Sequence, residues 1–361
     1  MTDASIDPAL RIAARGAASN DGARFDKLSH SYQEDGWDTE VEQRPLCTEV
    51  TQESARRIIS YNRSPDLPFD RSINPYRGCE HGCIYCFARP THAYLGLSPG
   101  LDFETRLIAR PNAPERLEAE LRARGYRVAP MAIGTNTDPY QPIEKQYGIM
   151  RDCLKVLQAY QHPVAIVTKG TLIERDLDIL APMAAQGLVR VGISITTMDA
   201  DLSRKLEPRT PTPKRRLAVI RSLSEAGVPV RIMTSPVVPG LSDHDLEALM
   251  QAGAEAGAKA ASWIMLRLPL EVSSLFQEWL RQHYPNRAKK VMKLVREMHG
   301  GKDYDADWGK RMRGSGPYAQ MIAHRFNVAA KRLGLDTRQP ALRCDLFYPP
   351  LRTGDQLTLN M

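Results

Sequence analysis

The segment Ser72–His92 reads SINPYRGCEHGCIYCFARPTH and places three cysteines within eight residues, at Cys79, Cys83 and Cys86. Three thiolates on so short a loop can bind three irons of a cubane cluster and leave the fourth iron without a ligand from the loop. An open coordination position distinguishes reactive metal sites from closed structural ones. Glycines 78 and 82 are expected to relieve crowding where the backbone wraps the metal. The spacing therefore predicts a reactive iron–sulfur site.

The same cysteines allow a second interpretation. A zinc ion bound by three thiolates takes one further ligand, and His81 and His92 both lie close enough in the chain to supply it. Such a site is typical of a zinc or closed-cluster protein that binds nucleic acid without catalysis. The cysteine spacing alone leaves both interpretations open.

The composition is that of an ordinary globular protein, with 361 residues of which 42% are hydrophobic and 25% charged. No apolar run reaches the roughly 18 residues needed to span a membrane. The N-terminus also lacks the apolar stretch of a secretory signal, so we expect a cytoplasmic protein. Six cysteines are too few for a disulfide scaffold in a chain of this length. The net charge of +7 favours an anionic partner such as nucleic acid.

Three parts are predicted along the chain. Residues 1–70 are polar and broken by Gly, Pro and Asn, which predicts an extended arm over the catalytic domain. Residues 71–270 alternate short apolar runs with helical segments, the pattern of a parallel sheet buried on both faces. Residues 271–361 are predicted to form a helical extension whose tail ends in an edge strand. A short strand is expected just before the cysteines, and the other expected strands are Val128–Gly134, Val164–Thr168, Leu188–Ile195, Val228–Met233 and Ala261–Leu268.

Helical periodicity is clear in several segments. Ser242 and Asp245 are expected to form a capping box before one of them. Cys153 lies on the apolar face of another, which predicts a buried structural thiol. The predicted helices contain Ile149–Tyr160, Leu217–Leu223 closed by Gly227, Leu246–Ala254, Val291–Met298 stopped by Gly300 and Gly301, and Ala319–Leu333.

The sequence resembles the radical S-adenosylmethionine superfamily, and within it the spore photoproduct lyase-like proteins, often labelled DNA repair photolyases. The superfamily signature is CxxxCxxC with an aromatic residue before the last cysteine, here Tyr85. The resemblance covers roughly residues 71–270. The motifs that carry it are NPYRGCEHGCIYC (Asn74–Cys86), TDPYQPIEK (Thr137–Lys145), VTKG (Val167–Gly170), ISITT (Ile193–Thr197), LEPRTPTPKRRL (Leu206–Leu217) and PVVPGLSD (Pro236–Asp243).

This resemblance implies a partial (β/α)₆ barrel with a 4Fe–4S cluster bound by Cys79, Cys83 and Cys86 on the loop after the first strand. It also implies that S-adenosylmethionine chelates the fourth iron and is cleaved to a 5′-deoxyadenosyl radical that abstracts hydrogen from the substrate. Such an enzyme needs an electron donor such as flavodoxin or ferredoxin. The implied activity is that of a lyase in DNA repair, acting on nucleic acid. A radical enzyme that modifies a protein or a metabolite is the alternative.

Five residues are expected to contact S-adenosylmethionine in this reading. Tyr85 would pack against the adenine, Asp138 would orient the amine, and Lys169 would pair with the carboxylate. Ser194 matches the position of a ribose contact. Arg209, beside Glu207 in a loop over the barrel mouth, suits a carboxylate or a substrate phosphate. An ordinary structural role stays open for the last four. It is a turn residue for Asp138, a solvated loop side chain for Lys169, a backbone contact within the strand for Ser194, and a surface ion pair for Arg209.

A basic stretch near the C-terminus is a second candidate site. Residues Arg281–Arg313 mix Lys and Arg with Tyr284, Tyr304 and Trp308, a combination that suits a nucleic-acid backbone and its bases. A solvated helix face is the alternative. The candidate contacts are Lys289, Lys290, Lys293 and Arg311.

The sequence departs from spore photoproduct lyase at the end of the second strand. The lyase has a cysteine there that returns hydrogen to the repaired thymine, whereas this chain reads GTNT at residues 134–137. Cys47 and Cys344 lie in irregular segments, where each is a packing thiol, a hydrogen-atom donor or an extra metal ligand. The radical-generating residues therefore transfer to this chain, and thymine-dimer splitting does not.

Overall fold

The computed structural model describes residues 15–20, 22, 24–25, 47–336 and 339–350. Its strands are β1 (Glu49–Gln52), β2 (Ile59–Tyr61), β3 (Arg71–Ile73), β4 (Tyr76–Arg77), β5 (Arg106–Ala109), β6 (Met131–Ile133), β7 (Val164–Thr168), β8 (Val189–Ser194), β9 (Val230–Val237) and β10 (Ala260–Met265). Its helices are α1 (Asp102–Thr105), α2 (Ala113–Leu121), α3 (Glu144–Tyr147), α4 (Ile149–Ala159), α5 (Leu177–Ala185), α6 (Ala200–Leu206), α7 (Pro213–Glu225), α8 (Leu246–Glu255), α9 (Glu271–His283), α10 (Pro285–Met298) and α11 (Gly316–Arg332).

Seven strands form the main sheet, in the order β10-β9-β8-β7-β6-β3-β2. The six strands β3 and β6 to β10 are parallel, and β2 pairs antiparallel with β3 at the edge. Spatial order follows chain order, with helices returning the chain between successive strands. Within the described residues the sheet ends at β2 and β10 without closing. The prediction of a partial (β/α)₆ barrel is confirmed.

A second, small sheet holds the start of the cysteine loop. Its central strand β5 pairs parallel with β1 and antiparallel with β4. Since β4 ends at Arg77, the cysteines leave this sheet two residues later. The strand expected just before the cysteines is therefore β4, while β3 is the first strand of the barrel.

The strand predictions differ from the structure mainly at their ends. β7 has the predicted bounds, and β9 continues to Val237. β6 is shorter than predicted because Pro130 has no N–H for the ladder and Gly134 turns away with a φ of +84°. β10 ends at Met265, three residues before the predicted end.

All five predicted helices are present, but the capping box is wrong. The Ser242 hydroxyl accepts a hydrogen bond from the Val238 N–H at 2.9 Å, and an Asp245 carboxylate oxygen accepts one from the Met198 N–H at 3.0 Å. Both side chains thus stabilise loops instead of the start of α8, which has no side-chain cap. Cys153 is fully buried in α4, as predicted. The sequence predicted no individual helix at α1, α2, α3, α5, α6 or α9.

Segments outside residues 71–270 pack against the barrel. The N–H groups of Gly16 and Ala17 donate to Glu104, each at 2.9 Å, and Arg325 of α11 pairs with Glu247 of α8. Residues 346–350 form no strand, and the rest of the predicted tail strand lies outside the described residues. None of the described helices is long and apolar enough to cross a membrane.

Candidate active site on the cysteine loop

The three loop cysteines are free thiols, with Cys79 and Cys83 buried and Cys86 half-buried. Tight backbone turns bring them together, because the Gly82 N–H donates to the Cys79 carbonyl and the Cys86 N–H to the Cys83 carbonyl. Burial raises the pKa of Cys83 to about 12, although the charge of Lys169 opposes this. The thiol is therefore protonated at neutral pH until a metal that binds thiolate displaces the proton.

A buried arginine, Arg89, fixes the cysteine loop by hydrogen bonds to its backbone carbonyls. Arg89 is fully buried, and its Nε donates to the Cys83 carbonyl at 2.9 Å. Its Nη2 donates to the Gly82 carbonyl at 3.1 Å and pairs with Glu104 at 2.5 Å. Its Nη1 donates to the carbonyls of residues 99 and 100. Nothing in the sequence distinguished Arg89 from the other arginines, so sequence reasoning missed it.

A glutamine ties the same loop to the segment after β6. The Gln141 side chain donates to the Gly78 carbonyl at 3.2 Å and accepts from the Glu80 N–H at 2.9 Å. Gln141 is fully buried and lies in the TDPYQPIEK motif, to which the sequence assigned no individual role for it. The motif therefore positions the cysteine loop.

The two glycines of the loop have the conformation that only glycine adopts easily. Gly78 has a φ of +75° and Gly82 a φ of +64°. A Cβ on Gly78 would lie 2.6 Å from a Leu107 methyl carbon and 2.9 Å from the Phe103 carbonyl oxygen. These glycines therefore relieve crowding between the loop and the protein atoms packed against it.

We expect Gly78→Ala to lower the free energy of unfolding by about 3 kcal/mol, as the sum of a left-handed backbone and an overpacked contact. Gly96→Ala is the matched control, because Gly96 has a similar φ of +67° and open space around its Cβ position. It should cost only about 1 kcal/mol. Urea unfolding of both variants measures the difference. Equal losses would show that the contact with Leu107 is not restrictive.

Asp138 links three parts of the site. Its oxygens accept from Thr168 at 2.6 Å and from the Lys169 N–H at 2.7 Å, and one lies 3.3 Å from His81 Nδ1. The Tyr140 N–H donates a further hydrogen bond. Burial disfavours the carboxylate, but His81 and these donors outweigh it and lower the pKa of Asp138 to about 2. The side chain is thus an ionised anchor between the cysteine loop and the end of β7.

Lys169 and Tyr85 face each other at the end of β7. The Lys169 ammonium lies 5.9 Å from the Tyr85 ring centroid and has no ion pair or hydrogen bond with any residue that the structure describes. Burial lowers the pKa of Lys169, but the electrostatic influence of Cys83, Glu207 and Asp138 together is stronger and raises it. The Tyr85 hydroxyl donates to Glu207, which leaves the ring buried and fixed.

A buried ion pair supports this wall of the site. Glu207 and Arg216 are each about 1% exposed and form a direct ion pair. Thr196 also donates to Glu207 at 2.7 Å. Burial disfavours ionised Glu207, but Arg216 and Lys169 lower its pKa to about 2. The Glu207 carboxylate is therefore committed to protein partners.

Ser194 and Arg209 are the two remaining residues that the sequence predicted to contact a ligand. The Ser194 hydroxyl is buried and donates to the Ser235 carbonyl at 2.9 Å. Arg209 is one-third exposed, and its Nη2 lies 3.2 Å from Glu80. No other side-chain partner of Arg209 occurs in the described residues.

The structure leaves three of the four residues of the predicted basic site exposed and places the fourth, Arg311, in an ion pair. Lys289, Lys290 and Lys293 are exposed on α10, whose opposite face is buried. Arg311 instead pairs with Asp66 at 2.6 Å and is only 18% exposed. Its guanidinium is committed to the turn that contains Asp66, which sequence spacing could not reveal.

The remaining candidates for further metal ligands are two cysteines and two histidines. Cys47 is exposed, and Cys344 is half-buried beside the Leu342 carbonyl. The Nε2 of His92 donates to the Arg106 carbonyl at 2.9 Å, and His81 faces Asp138. Both histidines proposed as a fourth zinc ligand thus have other partners. Among the described residues, no three His, Cys, Asp or Glu side chains are arranged for a single metal ion.

Sequence comparison assigns the protein to a family. The description "Radical SAM superfamily" matches residues 73–252, from β3 to α8. The chain belongs to the radical SAM superfamily. An uncharacterized protein of Mycobacterium tuberculosis is 41% identical over 232 residues, which cover 64% of this chain and 68% of that protein. An uncharacterized protein of Methanocaldococcus jannaschii is 25% identical over 238 residues, covering 66% and 84% respectively.

Solved structures show the same fold. A spore photoproduct lyase mutant has a TM-score of 0.57 at 17% identity, and the match covers 79% of each chain. The lyase complexed with dinucleoside spore photoproduct has the same TM-score and coverage at 16% identity. These similarities show a shared fold. They involve the subfamily that the sequence motifs resemble.

As a radical SAM enzyme, the protein uses a 4Fe–4S cluster and S-adenosylmethionine. The described residues fit both cofactors, because three free thiols share one fixed loop and an unpaired ammonium lies nearby. Family membership replaces the zinc interpretation.

Proposed function

We propose that Cys79, Cys83 and Cys86 bind the cluster and that Lys169 binds the carboxylate of S-adenosylmethionine. When bound, the reduced cluster supplies the electron that cleaves the sulfonium to a 5′-deoxyadenosyl radical. The observation that carries the proposal is the set of three free thiols on a loop held by Arg89 and Gln141. A loop fixed in this way presents the thiols in one arrangement before the metal arrives.

The surrounding residues have distinct roles in this proposal. The Lys169 ammonium has no ion pair or hydrogen bond among the described residues, and Asp138 is a positioning residue that holds the Lys169 backbone. The Tyr85 ring forms the wall for the adenine. The Ser194 hydroxyl donates to protein and retains acceptor capacity for a ribose hydroxyl. Arg209 has N–H groups available for a carboxylate or a phosphate.

We expect Lys169→Gln to weaken binding of S-adenosylmethionine by about tenfold or more, because a hydrogen bond to a charged group is lost. Equilibrium dialysis with anaerobically reconstituted protein measures the affinity. Lys145→Gln is the control, since Lys145 is exposed on α3 and its substitution removes the same charge. Equal affinities in the two variants would contradict the role of Lys169.

We further infer that the enzyme acts on nucleic acid, as a lyase related to DNA repair. The exposed lysines of α10 and the net charge of +7 support an anionic partner. A similarly folded lyase binds dinucleoside spore photoproduct. Charge reversal at Lys289, Lys290 and Lys293 should abolish salt-dependent binding of DNA or RNA. Absence of salt-dependent DNA or RNA binding in the unaltered protein would favour a protein or metabolite substrate.

The experiment that tests the radical mechanism is electron paramagnetic resonance of anaerobically reconstituted, reduced protein. We expect a cubane signal that shifts when S-adenosylmethionine is added, since the ligand occupies the open iron. A signal that does not respond to S-adenosylmethionine would rule out the proposed function. Product analysis for 5′-deoxyadenosine with damaged DNA then identifies the substrate.

A further inference from the structure

A polar cleft of about 280 Å³ lies beside the cysteine loop, between β2, β4 and the 3₁₀ helix at residues 89–95. It borders the loop on both sides, because Arg77 precedes Cys79 by two residues and Thr91 follows Cys86 by five. None of the described residues that line it carries a carboxylate. Its principal polar groups are Asn74, Arg77, Thr91, Tyr94, Arg110 and Asn136.

Two guanidinium groups make the cleft cationic. Arg77 is half-buried and has no side-chain partner in the part of the chain that the structure describes. Arg110 lies 3.2 Å from Glu53, but its Nε is buried without a partner. Burial and the nearby charge of Arg77 lower the pKa of Arg110. An anion between the two arginines relieves this repulsion and satisfies the buried N–H.

The cleft also offers groups that a simple anion does not use. The Asn74 Oδ1 is buried without a hydrogen-bond partner and accepts from a hydroxyl or N–H of a ligand. Tyr94 lies at the rim and is 73% exposed, and its ring centroid is 5.3 Å from that of Phe25. The Arg24 guanidinium lies over both rings. Exposed aromatic rings backed by arginine are typical surfaces for base stacking.

We propose that this cleft binds one nucleotide unit of the substrate, with the phosphate between Arg77 and Arg110 and a base against Tyr94. The proposal rests on the nucleic-acid substrate inferred above and assigns it a binding site beside the cysteines. The cleft is small, and it admits a single unstacked nucleotide instead of a duplex. The segment at residues 134–137, which follows β6, contributes Asn136 to the lining.

The test uses single-stranded hexathymidylate as the probe and the full-length, anaerobically reconstituted protein. We expect Arg77→Gln and Arg110→Gln each to weaken binding by about tenfold. Each should also reduce the slope of log affinity against log salt by about 0.7, the value for one phosphate contact on a single strand. Tyr94→Ala should weaken binding by about tenfold while leaving the slope unchanged.

Lys155→Gln is the matched control, because Lys155 is exposed on α4 and pairs only with Asp152 in the described residues. It removes one charge away from the cleft and should change affinity less than twofold. Arg77→Lys, which keeps the charge, should retain the salt slope. Thermal unfolding and iron content comparable with wild type show that each variant is folded and loaded.

Unchanged affinity and slope in both arginine variants would overturn the proposal. Inorganic phosphate that binds through Arg77 and Arg110, with hexathymidylate binding independent of them, would also overturn it and indicate a small phosphorylated metabolite. The proposed function is tested separately by the paramagnetic signal with S-adenosylmethionine. If that signal fails to respond while hexathymidylate binding still depends on Arg77, the proposed function fails and the cleft assignment stands.

Discussion

Cys83→Ala is expected to abolish the iron–sulfur cluster and, with it, all reductive cleavage of S-adenosylmethionine. Two thiolates remain on the loop, and two ligands do not hold a cubane whose fourth iron already lacks a protein ligand. The variant should be colourless after anaerobic reconstitution, with iron and sulfide near background and no reduced-cluster signal. Iron analysis, paramagnetic resonance and a 5′-deoxyadenosine assay measure the three losses.

Cys153→Ala is the control for Cys83. Cys153 is also a fully buried thiol, but it lies in α4 among core side chains. Its replacement should lower the thermal unfolding temperature without reducing iron content. A Cys83 variant that keeps its full complement of iron would show that the cluster is bound elsewhere in the chain.

Arg89→Met is expected to lower the free energy of unfolding by about 3–5 kcal/mol, the usual cost of leaving a buried charge without its partner. Arg89 and Glu104 are both fully buried and pair at 2.5 Å. The substitution leaves the Glu104 carboxylate uncompensated and removes donors from the carbonyls of Gly82 and Cys83. The loop should also lose cluster more quickly under a chelator. Urea unfolding and the rate of iron loss measure these effects.

Two further variants test the origin of this cost. Arg106→Met removes an arginine that is 54% exposed and lies 3.6 Å from Asp102, so it should cost less than about 1 kcal/mol. Glu104→Gln combined with Arg89→Met should recover part of the loss, because no buried charge remains. A loss for Arg89→Met as small as that for Arg106→Met would contradict its role under the loop.

The sequence predicted the chemistry of the site well where all the residues concerned lie in one short segment. The cysteines, Gly78 and Gly82 all lie within the loop, so their spacing describes their geometry almost directly. The sequence also predicted β7 at its bounds, because a buried parallel strand has a distinct apolar run. The sequence did not predict the ion pair of Arg311 with Asp66, because it joins residues far apart in the chain.

The comparison of Lys169 with Asp138 shows the limit of such prediction. Both are charged residues at strand ends, and both were expected to bind the same ligand. Asp138 accepts hydrogen bonds from Thr168 and the Lys169 N–H and faces His81, while the Lys169 ammonium has no ion pair or hydrogen bond among the described residues. Only the side-by-side packing of β6 and β7 decides that Asp138 holds its neighbours in place, whereas the Lys169 ammonium has no ion pair or hydrogen bond among the described residues.

The sequence by itself determined the family, the parallel barrel and the three cysteines that are expected to bind the cluster. These depend on local spacing and on hydrophobic periodicity, both of which can be recognised within a continuous segment of the chain. The tertiary structure alone decided which charges are buried in pairs and which face the cleft at Arg77 and Arg110. The physical reason is that burial and ion pairing arise between segments far apart in the chain, and they are settled only when the sheets and helices pack.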